Sequence, residues 1–302
     1  NGAGAIFRPS NLRYPMTQAG KPGEEKRVSS LNPMQQRAVD APTGPMLVVA
    51  CAGSGKTRVL TRRVLSLIER GAQPERILLL TFTRRAAREM LERAANVHES
   101  AKRVDGGTFH SFAMRMVSAY HQDLHLPRRP TVIDTDDAAN AVAAVVESLN
   151  IDNSKGRLPA KRALQELFSL AVNKGISTEQ ALEELYPQFL ERIDEIKAIR
   201  AAYAKYKLQN AYVDFDDLLV LLLALLKNPI TRKRIQNRYD HILVDEFQDT
   251  NHLQGEIALA LAERHQSVMV VGDDAQSIYG WRGAKVGNIL EFPKQFPSCE
   301  VI

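Results

Sequence analysis

The chain has 302 residues, of which 44% are hydrophobic and 25% charged, and these proportions predict one large globular domain or two smaller ones. Its formal net charge of +5 is compatible with a polyanionic partner without establishing one. Two cysteines are too few for a disulfide framework, which favours a reducing, cytoplasmic location, and the longest aliphatic run, Leu218–Leu226, is too short to span a membrane.

The N-terminal part of the chain divides into two segments. Residues 1–29 are rich in Gly, Pro, Ser and charged residues and lack periodicity, which predicts a disordered lead-in. The next segment, LNPMQQRAV, predicts a short helix with Asn32 as N-cap and Pro33 at the first helical position. Gln35 on this helix could pair with the N6 and N7 edge of adenine. From the residues alone, an ordinary exposed helical Gln is the favoured interpretation.

Residues 45–57, PMLVVACAGSGKT, combine an apolar strand, a glycine-rich turn and a Lys-Thr pair that opens a helix. This pattern predicts a phosphate-binding P-loop, although Ala50 stands where the strict pattern has Gly. Lys56 would supply charge for the β- and γ-phosphates, and Thr57 would offer a hydroxyl to Mg²⁺. A strand–turn–helix link with a chance match is the alternative. The predicted nucleotide-binding residues are Ala50, Cys51, Ala52, Gly53, Ser54, Gly55, Lys56 and Thr57, followed by Arg58, which could stack on a base.

Two further strands each pass into a polar tip and then a helix. The first is RILLLTFT at residues 76–83, and the second is the short segment that begins at Gly106. The carboxyl ends of strands in a parallel α/β sheet face the ligand crevice. We therefore expect Phe82, Thr83 and His110 at a functional rim. For His110, a capping or core role is equally open.

Residues 118–204 read mostly as amphipathic helix with almost no strand signal, including a long helix over Tyr186–Lys207. This block predicts a helical insert in an α/β domain. The sequence Asp214-Phe215-Asp216-Asp217 then opens another helix. Its carboxylates could bind a metal, but acids in a first turn also complement the helix dipole, and capping is the favoured interpretation.

The stretch HILVDEFQD at residues 241–249 is an apolar strand that delivers two acids at its end. This is the Walker B arrangement that a P-loop requires. Asp245 is predicted to hold Mg²⁺, and Glu246 to polarise the attacking water. A strand that simply ends in solvated acids is the alternative.

The last predicted strand begins at Ser267 and leads into GDDAQSIYGWRG. Gln276 could contact a γ-phosphate or the attacking water. Tyr279, Trp281 and Arg282 follow in a glycine-rich polar loop. Trp281 is predicted either to lie in the core or to form a stacking platform for single-stranded bases.

In their order and spacing, these motifs resemble the N-terminal half of the superfamily 1 DNA helicases of the UvrD/Rep/PcrA type. The similarity extends over residues 31–296. LNPMQQRAV resembles the Q motif, ACAGSGKTRVL motif I, TFTRRAAREM motif Ia, GGTFHSF motif Ib, VDEFQDTNHLQ motif II and VVGDDAQSIYGWRGA motif III. One departure is Arg84-Arg85, where the family usually has Asn-Lys.

The resemblance implies an α/β fold, namely a RecA-like P-loop NTPase with a parallel sheet flanked by helices and interrupted by an all-helical insert. Residues 30–117 and 205–302 would form the RecA-like domain and residues 118–204 the insert. The implied activity is that of an ATP-dependent DNA helicase or translocase, with ATP and Mg²⁺ as cofactors and single-stranded or partly duplex DNA as partner. The second RecA-like domain of the family is expected to be missing from this chain.

The resemblance also implies roles for single residues. Gln35 and Arg58 would bind adenine, Lys56 and Glu246 would act in catalysis, and Gln276 would couple the γ-phosphate to the DNA path. The single-strand track would comprise Phe82, Thr83, His110, Tyr279, Trp281 and Arg282. Two other functions stay open: a stand-alone nucleic-acid-binding module with a regulatory ATP site, and a P-loop kinase or small-molecule ATPase. The last is disfavoured because GDDAQSIYGWRG and TFH have no evident phosphoacceptor role.

Overall fold

The computed structural model describes residues 31–151, 156–277, 284–285 and 287–302, so the predicted lead-in lies outside the described residues. Within these ranges the α-helices are α1 (Pro33–Asp40), α2 (Lys56–Glu69), α3 (Arg84–Ala95), α4 (Phe109–Ala119), α5 (Thr135–Ser148), α6 (Lys161–Lys174), α7 (Thr178–Leu185), α8 (Ile193–Asn210), α9 (Phe215–Lys227), α10 (Pro229–Gln236), α11 (His252–Ala262) and α12 (Gly287–Gln295). The strands are β1 (Pro45–Val49), β2 (Ile77–Thr81), β3 (Asp105–Thr108), β4 (Thr131–Val132), β5 (Tyr212–Val213), β6 (His241–Val244), β7 (Val268–Gly272) and β8 (Glu300–Val301).

Six of the strands form one parallel sheet in the order β3-β2-β6-β7-β1-β8. The register places Val48 beside Val271 and Leu79 beside Leu243. Every residue of β2 and β7 is buried, as expected for strands that are covered by helices on both faces. Because all these strands are parallel, their carboxyl ends meet at one edge. The predicted parallel α/β fold of the RecA-like type is confirmed.

Local sequence signals account for most helix ends. Asn32 and Gln35 form a capping box at the start of α1, with Pro33 in the first turn as predicted. Gly55 precedes α2 with φ of 89°, and Gly71 follows it with φ of 95°, both in the left-handed region that favours glycine.

The structure differs from the sequence-based expectations at two places. The long helix predicted over Tyr186–Lys207 is a 3₁₀ turn, Pro187–Arg192, followed by α8. The short parallel pair of β4 and β5 was not predicted, since two-residue strands leave almost no periodic signal.

Two clusters of buried hydrophobic side chains lie within the part of the chain that the structure describes. One packs the sheet against α4, α9 and α11 and includes Leu80, Phe112 and Leu222. The other lies among α5, α6, α7 and α8 and includes Leu167 and Ile199. The division into a RecA-like domain and an insert over residues 118–204 stays a prediction. In the described part of the chain, no helix is both long and apolar enough to cross a membrane.

Candidate nucleotide and nucleic-acid site

The P-loop lies between β1 and α2 at the carboxyl edge of the sheet. Gly53 (φ 73°) and Gly55 (φ 89°) curl the backbone, and the Ser54 N–H donates to the carbonyl of Cys51 across 3.1 Å. A Cβ atom on Gly55 would lie 3.1 Å from Nε2 of Gln35, so this close approach favours glycine. The loop is exposed up to Ser54 and leads directly into the N-terminus of α2, where unpaired N–H groups can bind an anion.

Gln35 connects α1 to this loop. Its Oε1 accepts from the Asn32 N–H (2.9 Å), while its Nε2 donates to the carbonyl of Ser54 (2.6 Å). The structure therefore brings Gln35 to the rim of the P-loop. Its predicted pairing with adenine, and the stacking of Arg58, stay predictions.

The acids that follow β6 face the P-loop lysine. Nζ of Lys56 donates to Oε2 of Glu246 at 2.9 Å, and Lys56 is only 8% exposed. Glu246 has a left-handed backbone with φ of 50°, a conformation that a non-glycine residue adopts only when its surroundings impose it. Asp245 is buried, and its Oδ1 has no hydrogen-bond partner. Burial, and secondly the charge of Glu246, raise the pKa of Asp245 to about 7.

Asp249 is a second acid with a buried, unpartnered oxygen and a raised pKa. Its Oδ1 is also buried without a partner, and burial together with Glu246 raises its pKa to about 6. Buried carboxylate oxygens without hydrogen bonds suit a divalent cation, which satisfies and neutralises them. Among the described residues, no three or more His, Cys, Asp and Glu side chains form a metal-binding group. Mg²⁺ takes one or two protein oxygens and keeps its remaining positions for phosphate and water. The buried, unpartnered Oδ1 of Asp245 therefore fits the ion, and the part of Thr57 stays a prediction.

Gln248 is a site residue that the sequence analysis missed. It is 1% exposed, and its Nε2 donates to Oε2 of Glu246 at 2.7 Å. Its Oε1 accepts from the backbone N–H of Asp273 (3.0 Å), just beyond β7. Gly272 is needed there, because a Cβ would lie 2.5 Å from Oε1 of Gln248. Gln276 also reaches this point, since its Nε2 donates to Asp273. Amide side chains thus join the ends of β6 and β7.

A cavity of about 580 Å³ opens beside these strand ends. Phe82, His110 and Phe215 supply its aromatic wall, and helix α6 supplies polar side chains that include Ser169 and Asn173. The rings of His110 and Phe215 meet edge to face, with centroids 6.2 Å apart. Burial lowers the pKa of His110, which favours the neutral imidazole. An aromatic wall with polar groups opposite can hold planar bases.

The other predicted nucleic-acid residues have different positions. Thr83 is exposed at the edge, where its Oγ1 caps α3 by accepting from the Ala86 N–H (3.1 Å). Tyr279, Trp281 and Arg282 lie outside the described residues.

Comparison with known proteins gives consistent matches. The profile of the family described as UvrD/REP helicase N-terminal domain matches residues 31–297. A protein named probable DNA helicase II homolog from Rickettsia felis is 40% identical over 281 residues, which are 91% of this chain and 42% of that protein. Proteins named ATP-dependent DNA helicase PcrA are 37% identical over 278 residues in Bacillus subtilis and 36% identical over 282 residues in Leuconostoc citreum. These cover 91% and 92% of this chain and 37% of each relative. The chain thus spans about two fifths of the length of the curated relatives it matches.

Proposed function

The chain belongs to the UvrD/REP helicase N-terminal domain family, and on this premise we propose that it is the nucleotide-binding half of an ATP-dependent DNA helicase or translocase. It would bind Mg²⁺-ATP at the P-loop and single-stranded DNA along the cavity wall of Phe82, His110 and Phe215. The second RecA-like domain of such a motor is a proposed partner. A protein that only binds nucleic acid and senses ATP would not need the carboxylate of Glu246 beside the P-loop lysine.

Each residue at the sheet edge has a part in this proposal. Backbone N–H groups of residues 53–57 bind the phosphates, and Asp245 and Thr57 would hold Mg²⁺, which neutralises phosphate charge when it is bound. A phosphate chain in the loop attracts Lys56 away from Glu246. The released carboxylate can then accept a proton from the attacking water, while Gln248 keeps it oriented. Gln276 would contact the γ-phosphate.

The observation that carries the proposal is the charge imbalance at the end of β6. Three acids lie close together, but only Glu246 is paired with Lys56, and buried oxygens of Asp245 and Asp249 have no partner. A purely structural cluster would leave the cost of these groups uncompensated. Bound Mg²⁺ and nucleotide provide the compensation.

The replacement Lys56→Ala tests the proposal. We expect Mg²⁺-ATP binding to be lost, because the charge that faces the phosphates is removed, whereas the fold should survive. Titration with a fluorescent ATP analogue measures the affinity, and thermal melting measures the stability. Lys161→Ala, which changes an exposed lysine on α6, is the matched control. Unchanged nucleotide affinity in Lys56→Ala would remove the P-loop assignment.

A further inference from the structure

Arg63 is a buried cation on α2 that the proposed chemistry does not use. It is 3% exposed, and its guanidinium donates to the carbonyls of Val39 (2.9 Å), Ala41 (2.5 Å) and Pro42 (3.0 Å). These carbonyls lie at the C-terminal end of α1. Its hydrogen-bond acceptors are thus backbone groups and not a carboxylate.

A buried charge without a bonded counter-ion is costly unless other groups compensate it. Burial lowers the pKa of Arg63, but a guanidinium stays protonated in proteins. The last carbonyls of a helix lack partners within the helix and carry the negative end of its dipole. The guanidinium and the end of α1 therefore satisfy each other.

Arg70, the residue that directly follows α2, strengthens this attachment. It donates to the carbonyls of Ala41 (3.0 Å) and Asp40 (2.7 Å). We call Arg63 and Arg70, together with the carbonyls of residues 39–42, the arginine clamp.

The clamp and the P-loop hold opposite ends of the same short helix. At the N-terminal end of α1, Gln35 donates to Ser54 of the loop; at the C-terminal end, the clamp holds α1 on α2. Helix α2 in turn begins at Lys56. Two ion pairs also involve α1, Arg37 with Glu300 at 2.7 Å and Asp40 with Arg70 at 3.7 Å, but both are largely exposed and contribute little. The bonds of Arg63 and of the Gln35 amide thus lie at opposite ends of the same helix, and each joins α1 to the segment of residues 54–70.

We propose that Arg63 is a positioning residue for nucleobase selection, which fixes α1 so that the Gln35 amide is presented to the base beside the P-loop. This inference rests on the proposed ATP-binding function and deepens it by naming what sets its base preference. An amide nitrogen carries two N–H groups and an amide oxygen two lone pairs, so the bonds to Ser54 and Asn32 leave one donor and one acceptor for a base. These match N7 and the N6 amino group of adenine, whereas guanine carries the acceptor O6 in place of that amino group. The phosphate chain, in contrast, is bound by the loop itself.

Calorimetric titration of the full 302-residue chain with Mg²⁺ and three probes, ATP, GTP and inorganic tripolyphosphate, tests this inference. We expect Arg63→Lys to weaken ATP binding about three- to tenfold, the worth of one lost hydrogen bond, and to leave tripolyphosphate binding unchanged. The ratio of ATP affinity to GTP affinity should fall in the same variant. Arg70→Met should have the same effect to a smaller extent. Arg62→Met, a neighbour on α2 outside the clamp, is the matched control.

A double-replacement cycle separates a positioning role from a merely structural one. In a Gln35→Ala chain, adding Arg63→Lys should not change the ratio of ATP to tripolyphosphate affinity any further, because the residue through which Arg63 acts is gone. Additive effects, or an equal loss of ATP and tripolyphosphate binding in Arg63→Lys, would overturn the inference. An unaltered chain that binds none of the three probes would instead overturn the proposed function. An ATP preference that survives Arg63→Lys would overturn only this inference.

Discussion

Two groups of acids look alike in the sequence but differ in the structure. The helix cluster is Asp214, Asp216 and Asp217 at the start of α9, and the strand cluster is Asp245, Glu246 and Asp249 after β6. Both place three acids within five residues, and both are partly or fully buried. Their difference lies in how many of their oxygens have partners within the chain.

The carboxylates of the helix cluster are bonded to other groups of this chain. Asp214 and Asp217 cap α9 reciprocally, and Nζ of Lys207 lies 2.5 Å and 2.6 Å from their carboxylates. Asp214 also accepts from the Tyr203 hydroxyl (3.0 Å), and Asp216 accepts from Asn173 (2.7 Å). Burial acts to raise the pKa of Asp214, but Lys207 outweighs it and holds that pKa below its ordinary value. The predicted capping role is confirmed.

The carboxylates of the strand cluster have fewer partners within the chain. One lysine, Lys56, pairs with Glu246, and Oδ1 of Asp245 and of Asp249 has no hydrogen-bond partner. Burial raises the pKa of acids in both clusters, including that of Asp217 to about 6, so the contrast rests on the missing partners and not on the pKa values. Natural chains keep such costly groups mainly where a ligand supplies the missing interaction. The comparison therefore distinguishes a cluster whose partners lie within the chain from one whose missing partners the proposed ligands would supply.

Glu246→Gln should give the largest effect. The amide keeps the shape of the side chain but cannot accept a proton, so we expect hydrolysis to fall about 10²- to 10⁴-fold while Mg²⁺-ATP still binds. Single-turnover hydrolysis of radiolabelled ATP, which detects slow reactions, measures the rate, and titration measures the binding. If binding is lost as well, Glu246 is a ligand rather than a base. The proposed roles, Glu246 as base and Asp245 as Mg²⁺ ligand, would then be wrong.

A pair of neutralising replacements should change stability in opposite directions. At pH 8 without Mg²⁺ or nucleotide, Asp214→Asn should lower the free energy of unfolding by about 1–3 kcal/mol, because it breaks the buried pair with Lys207. Asp245→Asn should raise that free energy by about 1–2 kcal/mol, because it removes a buried charge that has too few partners. Urea denaturation measures both changes.

The pH dependence of these two changes follows from the pKa directions. Asp245 has a pKa of about 7 in the folded chain against an ordinary value of 3.8, so its charge costs stability progressively as pH rises between these values. The gain from Asp245→Asn should therefore vanish near pH 4. Asp214 has a folded pKa below 3.8, so its contribution is present above that value and is lost only in stronger acid. Two replacements with the same sign at pH 8 would contradict the distinction between the clusters.

The features that the sequence predicted are local. Strand, turn and Lys-Thr are contiguous in residues 45–57, and residues 241–249 form one strand with its acids. The parallel arrangement then brings these ends to one edge without further information. Gln248 was missed because its role depends on Asp273, beyond a different strand. The polar wall of the cavity was missed for the same reason, since Asn173 on α6 reaches it only through tertiary packing.

Phe215 gives the smallest expected effect and tests whether the start of α9 serves the fold alone. It follows Asp214 directly, yet it is 48% exposed and meets His110 in the cavity wall. We expect Phe215→Ala to weaken the binding of a single-stranded oligonucleotide by about 1 kcal/mol, a factor of about five, by removing one stacking surface. Stability should hardly change, because an exposed ring loses little on truncation.

Fluorescence anisotropy at one fixed salt concentration measures this affinity, since phosphate contacts depend on salt. Ile230→Ala, which removes an exposed apolar side chain from α10, is the control and should bind the oligonucleotide normally. ATP affinity should be unchanged in both variants. If Phe215→Ala also binds normally, the first turn of α9 is structural throughout, and the contrast with the strand cluster is complete. If it binds more weakly as expected, one helix turn combines both roles: its acids hold the fold, and the ring between them faces the DNA.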